Sequence, residues 1–200
     1  MAGGVAGIVY SIGFAVAGLL VALLLATLAW PALRIWPTPG EKSWQSYVFW
    51  PLFRGLNVIA FLAAGAAWPG GALGLPLWLR GLAALALLSS LGVFVYAFRV
   101  LGRDNSYGAT DGLVTGGIYQ WSRNPQNAML IVVYGALAVT ADSVPAYVLA
   151  GAMMLVYWLM ILLEEPWLAA SYGEAYRAYC AAVPRLFNWR RLIAGGSLRS

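Results

Sequence analysis

Gly117-Ile-Tyr119-Gln-Trp-Ser-Arg123-Asn124-Pro125-Gln126-Asn127 is a polar stretch, punctuated by glycine and proline, set between long apolar runs. Residues 75–100 precede it, and residues 126–141 and 144–163 follow it, the last two separated only by Asp142-Ser143. Two more apolar runs, 5–30 and 47–68, lie nearer the N-terminus. Runs of roughly 20 apolar residues read as membrane-spanning helices. The sequence therefore predicts an all-α polytopic membrane protein with five transmembrane helices. The fourth run is short and is expected in thinned lipid or sheltered by its neighbours. Tight turns are expected at Pro69-Gly70-Gly71-Ala-Leu-Gly74 and at Asp142-Ser143, the latter making a hairpin of the last two spans. Most tryptophans fall near span ends, as an interfacial belt requires.

Composition supports this reading. Of 200 residues, 62% are hydrophobic and 10% charged, against about 25% charged in soluble domains. Lipid must cover much of that apolar surface. No basic residue precedes Arg34, which argues for a retained first helix over a cleaved signal peptide. Cys180 is the only cysteine and histidine is absent, so no internal disulfide forms and no metal centre is expected.

The net charge of +5 is not a nucleic-acid footprint, because its distribution is one-sided. With the spans alternating, Arg34 and Lys42 share a side with Arg99, Arg103 and Arg123. Arg177, Arg185, Arg190, Arg191 and Arg199 of the C-terminal segment fall there too. The positive-inside rule then puts the N-terminus outside and the C-terminus in the cytoplasm, as in a bacterial inner-membrane protein. Arg54 and Arg80 lie inside spans, where an arginine either snorkels to the near interface or serves a function. For shallow Arg80 snorkelling is the expectation; for Arg54 the two readings stand level.

Two polar segments share the cytoplasmic side, residues 101–125 and 166–200. Asn124-Pro125 has the form of an N-cap followed by proline at the first helical position, a sufficient structural reason for both residues. Glu164-Glu165 ends the last span with charges that oppose the helix dipole at the membrane edge, so a cationic group, an arginine or a ligand, is expected beside them. Pro166 is expected to open a new cytoplasmic amphipathic helix. Tyr172, Tyr176 and Tyr179 share one face of it, with Glu174–Arg177 as an i,i+3 pair on the other. Such a helix either lies on the membrane or covers a pocket.

Leu113-Val114, Gly117, Tyr119, Arg123, Pro125, Glu164-Glu165, Tyr172-Gly173, Tyr176, Tyr179 and Val183-Pro184 run in an order that resembles the isoprenylcysteine carboxyl methyltransferase and phospholipid methyltransferase superfamily. The resemblance covers residues 99–187, as the cofactor-binding core of a single membrane domain spanning 1–200. It implies an S-adenosylmethionine cofactor at the cytoplasmic face. Its pocket would be lined by Asp111, Gly112, Leu113, Val114, Tyr119, Asn124, Pro125, Gln126, Asn127 and Glu164. Physical chemistry agrees with that assignment. A sulfonium and an ammonium group favour a nearby carboxylate, from Glu164 or Glu165. A cofactor carboxylate favours donors such as Arg123, Asn124 and the backbone at the start of the fourth span. Three positions depart from the family pattern. Asn124 stands in place of histidine and Asn127 in place of tyrosine. Met160-Ile161-Leu162-Leu163 carries no counterpart of the substrate-binding arginine of the prenylcysteine enzymes.

The reading implied is a membrane methyltransferase acting on a lipophilic or small thiol, amine or carboxylate acceptor from the bilayer. Glu165 is the candidate general base, since a desolvated carboxylate beside a like charge has a raised pKa, and Arg123 is the second candidate catalytic residue. The rivals are an NADPH-dependent membrane reductase and a non-enzymatic subunit that binds a partner or quinone.

Overall fold

The computed structural model describes residues 2–102, 105 and 112–188. Asp111 of the expected pocket, and Arg103, Arg190, Arg191 and Arg199 of the charge count, lie outside the described residues.

All regular structure among the described residues is helical. The uncharged α1 runs Ala2–Ala29 and ends at Pro31, where a short 3-10 turn leads to Arg34 at φ 46°. Ser43 caps α2, Trp44–Ala66, by accepting a hydrogen bond from the Ser46 N–H at 3.2 Å. α3, Leu77–Leu101, begins after Pro76 and stops at Gly102, whose φ of 83° cannot continue a helix. α4 is Pro125–Ala141, and α5 is Val144–Ala182, capped by Ser143. Four of these helices, all but α4, are long and apolar enough to cross a membrane. The 17-residue α4 is apolar but shorter, about 26 Å at 1.5 Å per residue.

Packing explains how a short helix is tolerated. α4 lies between α3 and α5, while α1 packs on α2 and α5. Val133, Tyr134, Leu137, Ala138 and Ala141 of α4 are buried with Leu20, Leu24, Phe49, Leu56, Leu149, Met153 and Val156. Large apolar side chains elsewhere face outward, among them Ile8, Leu19, Leu77, Leu82, Leu85 and Leu88. An exposed apolar surface of this extent is what lipid covers. α2 and α3 have no substantial packing with each other among the described residues, and the space between them matters below.

One end of the bundle is tied by Asp142. Its carbonyl accepts the N–H groups of Gly71 and Ala72 at 2.7 and 2.8 Å. Its carboxylate accepts those of Leu73 and Leu75 and the Tyr147 hydroxyl, at 3.0, 3.0 and 2.9 Å. Gly70 must be glycine here: a Cβ would come within 2.0 Å of the Ala141 carbonyl oxygen. Arg80 does not snorkel. It is buried, stacks over Trp68, and donates to the carbonyls of Thr140 and Ala141 at 2.9 and 3.3 Å. There it meets the negative end of α4.

α5 also departs from expectation. No separate helix opens at Pro166; α5 continues through it to Ala182, and the break comes at Gly173, with φ 58° and ψ −128°. That conformation requires glycine. The apolar part of α5 ends at Leu163, and the part from Glu164 onward is its polar half.

Candidate active site

The polar half of α5 returns over residues 112–124 and is laced to them. The Arg123 N–H donates to the Pro184 carbonyl at 3.1 Å, and the Asn188 N–H to that of Trp121 at 2.9 Å. Ser122 Oγ and Asn124 Nδ2 both donate to the Arg185 carbonyl at 3.2 Å. Tyr179 donates its hydroxyl to the Tyr119 carbonyl at 2.6 Å. Two segments about 60 residues apart in sequence thus form one unit, and its strongest tie is ionic. Arg123 Nη2 donates to Glu165 Oε1 at 2.7 Å, and Arg185 meets the same carboxylate through Nε at 3.1 Å and Nη2 at 2.5 Å. The cationic partner expected beside the glutamate pair is therefore an arginine pair.

Successive helix residues point about 100° apart, so the adjacent glutamates face different surroundings. Glu165 faces the arginines. Burial alone would raise its pKa, but Arg185 and Arg123 outweigh burial and hold it below the ordinary carboxylate range. Glu164 faces a cavity of about 520 Å³ and forms no hydrogen bond or ion pair with any described residue. Burial, and then the charge of Glu165, push its pKa up to about 7. The raised pKa expected of Glu165 is thus a property of Glu164. Glu165 does not line the cavity.

The cavity brings most of the predicted residues together. Gly112, Leu113, Val114, Tyr119, Arg123, Asn124, Gln126, Asn127 and Glu164 all line it. Pro125 is buried behind it as the first residue of α4. Tyr119 accepts a hydrogen bond from Gln126 Nε2 at 3.1 Å, and burial holds its phenol protonated, with the nearby Glu164 charge acting in the same direction. Tyr172, Tyr176 and Tyr179 line the cavity as well, and the last two are buried, so that face of α5 covers a pocket and is not laid on lipid.

Asn124 occupies the N-cap position of α4, but its side chain makes no capping bond; it turns to Arg185 instead. The buried Nε of Arg123 has no partner among the described residues. A helix N-terminus beside a guanidinium N–H suits an anionic group, while Glu164 suits a cation. The volume lies within the range of about 300–1,000 Å³ typical of ligand and cofactor sites.

The cavity also extends past the residues expected from sequence. It reaches Phe53, Arg54, Asn57, Val58 and Phe61 on α2, and Leu91, Phe94 and Phe98 on α3. Val58 and Phe61 line it and are 58% and 40% exposed. With α2 and α3 both lining it and not packed on each other among the described residues, the cavity reaches the gap between these two apolar helices. Arg54 lies at this wall, exposed and over the Trp50 ring. Sequence reasoning placed no pocket residue on α2, where beyond the apolar pattern only Arg54 stood out.

A model of the phospholipid methyltransferase family matches residues 74–175, just over half of the chain, from the start of α3 past the Gly173 break. No curated protein and no solved structure matches the chain. Its class is that of the integral-membrane methyltransferases, the superfamily shared with the isoprenylcysteine carboxyl methyltransferases. Within that class, the chain belongs to the phospholipid methyltransferase family.

Proposed function

We propose that this protein transfers a methyl group from S-adenosylmethionine to a lipophilic or small acceptor that enters the cavity from the bilayer. The observation that carries this reading is the pairing, in one cavity, of Glu164, a carboxylate with no partner among the described residues, with Arg123 at the start of α4, whose buried Nε has none among them either. It sits within a chain of a methyltransferase family. In this reading all five helices cross the membrane, with the cavity's polar end in the cytoplasm and the N-terminus outside, as the charge distribution favours.

When bound, S-adenosylmethionine supplies a methyl group already activated on a sulfonium. The work of this chain is then to bind, orient and exclude water. Glu164 meets the positive charge, and its own proton leaves as that charge arrives. Arg123 Nε and the first turn of α4 hold the carboxylate. Leu113, Val114 and Tyr119 provide an apolar and aromatic wall for adenine. Placing the acceptor in line with the methyl group supplies much of the rate. The acid–base role first given to Glu165 passes to Glu164, the carboxylate that faces the cavity.

Calorimetry of the purified protein with S-adenosylhomocysteine and with NADPH tests the assignment. Binding of the first without the second is expected. Binding of NADPH alone would make the protein a reductase, and binding of neither would leave a non-enzymatic subunit.

A further inference from the structure

Asn57, Tyr134 and Tyr157 come from three helices and meet on the cavity wall. Tyr134 and Tyr157 both donate their hydroxyls to Asn57 Oδ1, at 2.5 and 3.1 Å. Asn57 Nδ2 donates back along α2 to the Phe53 carbonyl at 2.7 Å. All three residues line the cavity. Tyr157 lies seven residues before Glu164 on one helix, which places the cluster about 10 Å farther into the membrane at 1.5 Å per residue. Around it the cavity is aromatic and apolar, with Phe53, Phe61, Leu91 and Phe94.

The hydrogen-bond directions fix what this cluster offers a ligand. Because both phenol protons are committed to Asn57 Oδ1, the phenol oxygens present only lone pairs. The amide keeps one N–H that has no partner among the described residues. Tyr134 is fully buried and Tyr157 keeps 2% of its surface, so the set is an acceptor at Tyr157 and a donor at Asn57, both neutral, with Tyr134 fixing the amide. A neutral hydroxyl, itself one donor and one acceptor, fits that set; an ionised headgroup fits it less well, since none of the three side chains carries a charge and Arg54, the cation on this wall, sits one turn away over the Trp50 ring.

We propose that this cluster is a deep recognition subsite for a neutral hydroxyl on an otherwise apolar ligand, entered through the gap between α2 and α3. On the functional reading above, which this inference extends, that ligand is the methyl acceptor. The subsite would hold it at a point about 10 Å from Glu164 and the transfer position. These residues would then set specificity without touching the reacting atoms. A purely structural role, three polar side chains tying three helices together, predicts no preference for a hydroxyl.

The test uses the full chain in lipid nanodiscs, following quenching of tryptophan emission. The probes are ω-brominated dodecanol and its methyl ether, compared at equal mole fraction in the lipid. Trp36 and Trp50 line the cavity and provide signal. The parent protein should bind the alcohol about tenfold more tightly than the ether, the worth of one buried hydrogen bond. Tyr157→Phe keeps the ring and should reduce that preference to about twofold or less, with Tyr134→Phe as an independent second variant. S-adenosylhomocysteine affinity, measured on the same samples, reports folding and the cofactor reading separately. Equal binding of alcohol and ether by the parent protein would overturn the proposal. So would a preference that survives in both tyrosine variants and in Asn57→Leu. Loss of the preference with S-adenosylhomocysteine binding intact supports it. Loss of S-adenosylhomocysteine binding in the parent protein would count against the methyltransferase reading and not against the subsite.

Discussion

The two ends of this bundle are built from similar materials and treated differently. At the Asp142 end, an acidic side chain meets two backbone N–H groups and a tyrosine hydroxyl, and an arginine meets two helix-end carbonyls. Polar groups there are consumed in closing turns. At the Glu164 end, one glutamate is consumed in the same way by Arg123 and Arg185. Its neighbour is left facing a cavity, alongside a guanidinium N–H of Arg123 that has no partner among the described residues. Burying polar groups without partners costs stability, so the second end bears a cost that the first avoids. On the proposed function, that asymmetry separates the structural end of the molecule from the end that binds.

Removing the ionic tie should have the largest effect. Glu165→Ala leaves two arginines without their carboxylate, one of them largely buried. Breaking a buried pair costs about 3 kcal/mol or more, and here the loss also frees the α5 strap from residues 119–124. S-adenosylhomocysteine binding by calorimetry should disappear and the thermal midpoint should fall. Full binding by this variant would mean that the backbone bonds to Pro184 and Trp121 hold the strap alone.

Next in size is Glu164→Gln, which keeps volume and hydrogen bonding but removes the charge. Affinity for S-adenosylhomocysteine should fall about ten- to a hundredfold, as expected for a charge-assisted contact worth roughly 1.5–3 kcal/mol. Stability should hold or rise slightly, since a buried carboxylate with a raised pKa disfavours the folded state once ionised. A glutamate at a solvated helix end would show no loss of affinity. The two substitutions thus separate neighbours: Glu165 lowers both stability and binding, and Glu164 lowers binding alone.

The pH dependence follows with its sign. The Glu164 pKa in the empty protein is raised to about 7, so below that value a cation must displace a proton to bind. S-adenosylhomocysteine, through its ammonium group, should bind more tightly as pH rises from about 5 to 7, approaching tenfold per unit, and level off above. Folding stability runs the other way. The native state holds this proton where the unfolded carboxylate has lost it, so the Glu164 contribution to stability is full below the unfolded pKa and is lost as pH rises to about 7. Both trends should vanish in Glu164→Gln. A binding profile unchanged by that substitution would place the titrating group elsewhere.

How much of this was legible in the sequence depended on whether the signal was local. The apolar runs, the Asp142-Ser143 hairpin and the tyrosine face of α5 are periodic patterns, and they were readable. The cavity's polar wall was readable as well, because Tyr119 through Asn127 and Glu164 carry a motif. Three things were not. The assignment between Glu164 and Glu165 depends on which way each side chain turns, and this is fixed by Arg185, reached only after the chain doubles back. The continuation of α5 through Pro166 was hidden because proline there forfeits one helical bond but the surrounding packing retains the helix. The Asn57–Tyr134–Tyr157 cluster joins residues 77 and 100 positions apart, each unremarkable within its own helix.

The smallest expected effect on binding comes from the opposite end, and it completes the comparison. Asp142 is fully enclosed by area. Burial by itself would raise its pKa, but the N–H groups of Leu73 and Leu75, the Tyr147 hydroxyl and the charge of Arg80 together bring it below the ordinary range. Asp142→Asn keeps the shape yet replaces one accepting oxygen with an NH₂ group. That group would confront an N–H of Leu73 or Leu75 donor to donor, and the attraction to Arg80 would be lost. The thermal midpoint should fall, and the stability contributed by the carboxylate in the parent protein should itself fade as pH drops through its depressed pKa. S-adenosylhomocysteine affinity should stay within about twofold, since the rigid lengths of α3, α4 and α5 separate this turn from the cavity's polar end. A clear loss of affinity without unfolding would show that the two ends are coupled through those helices. The division between a structural end and a binding end would then have to be given up.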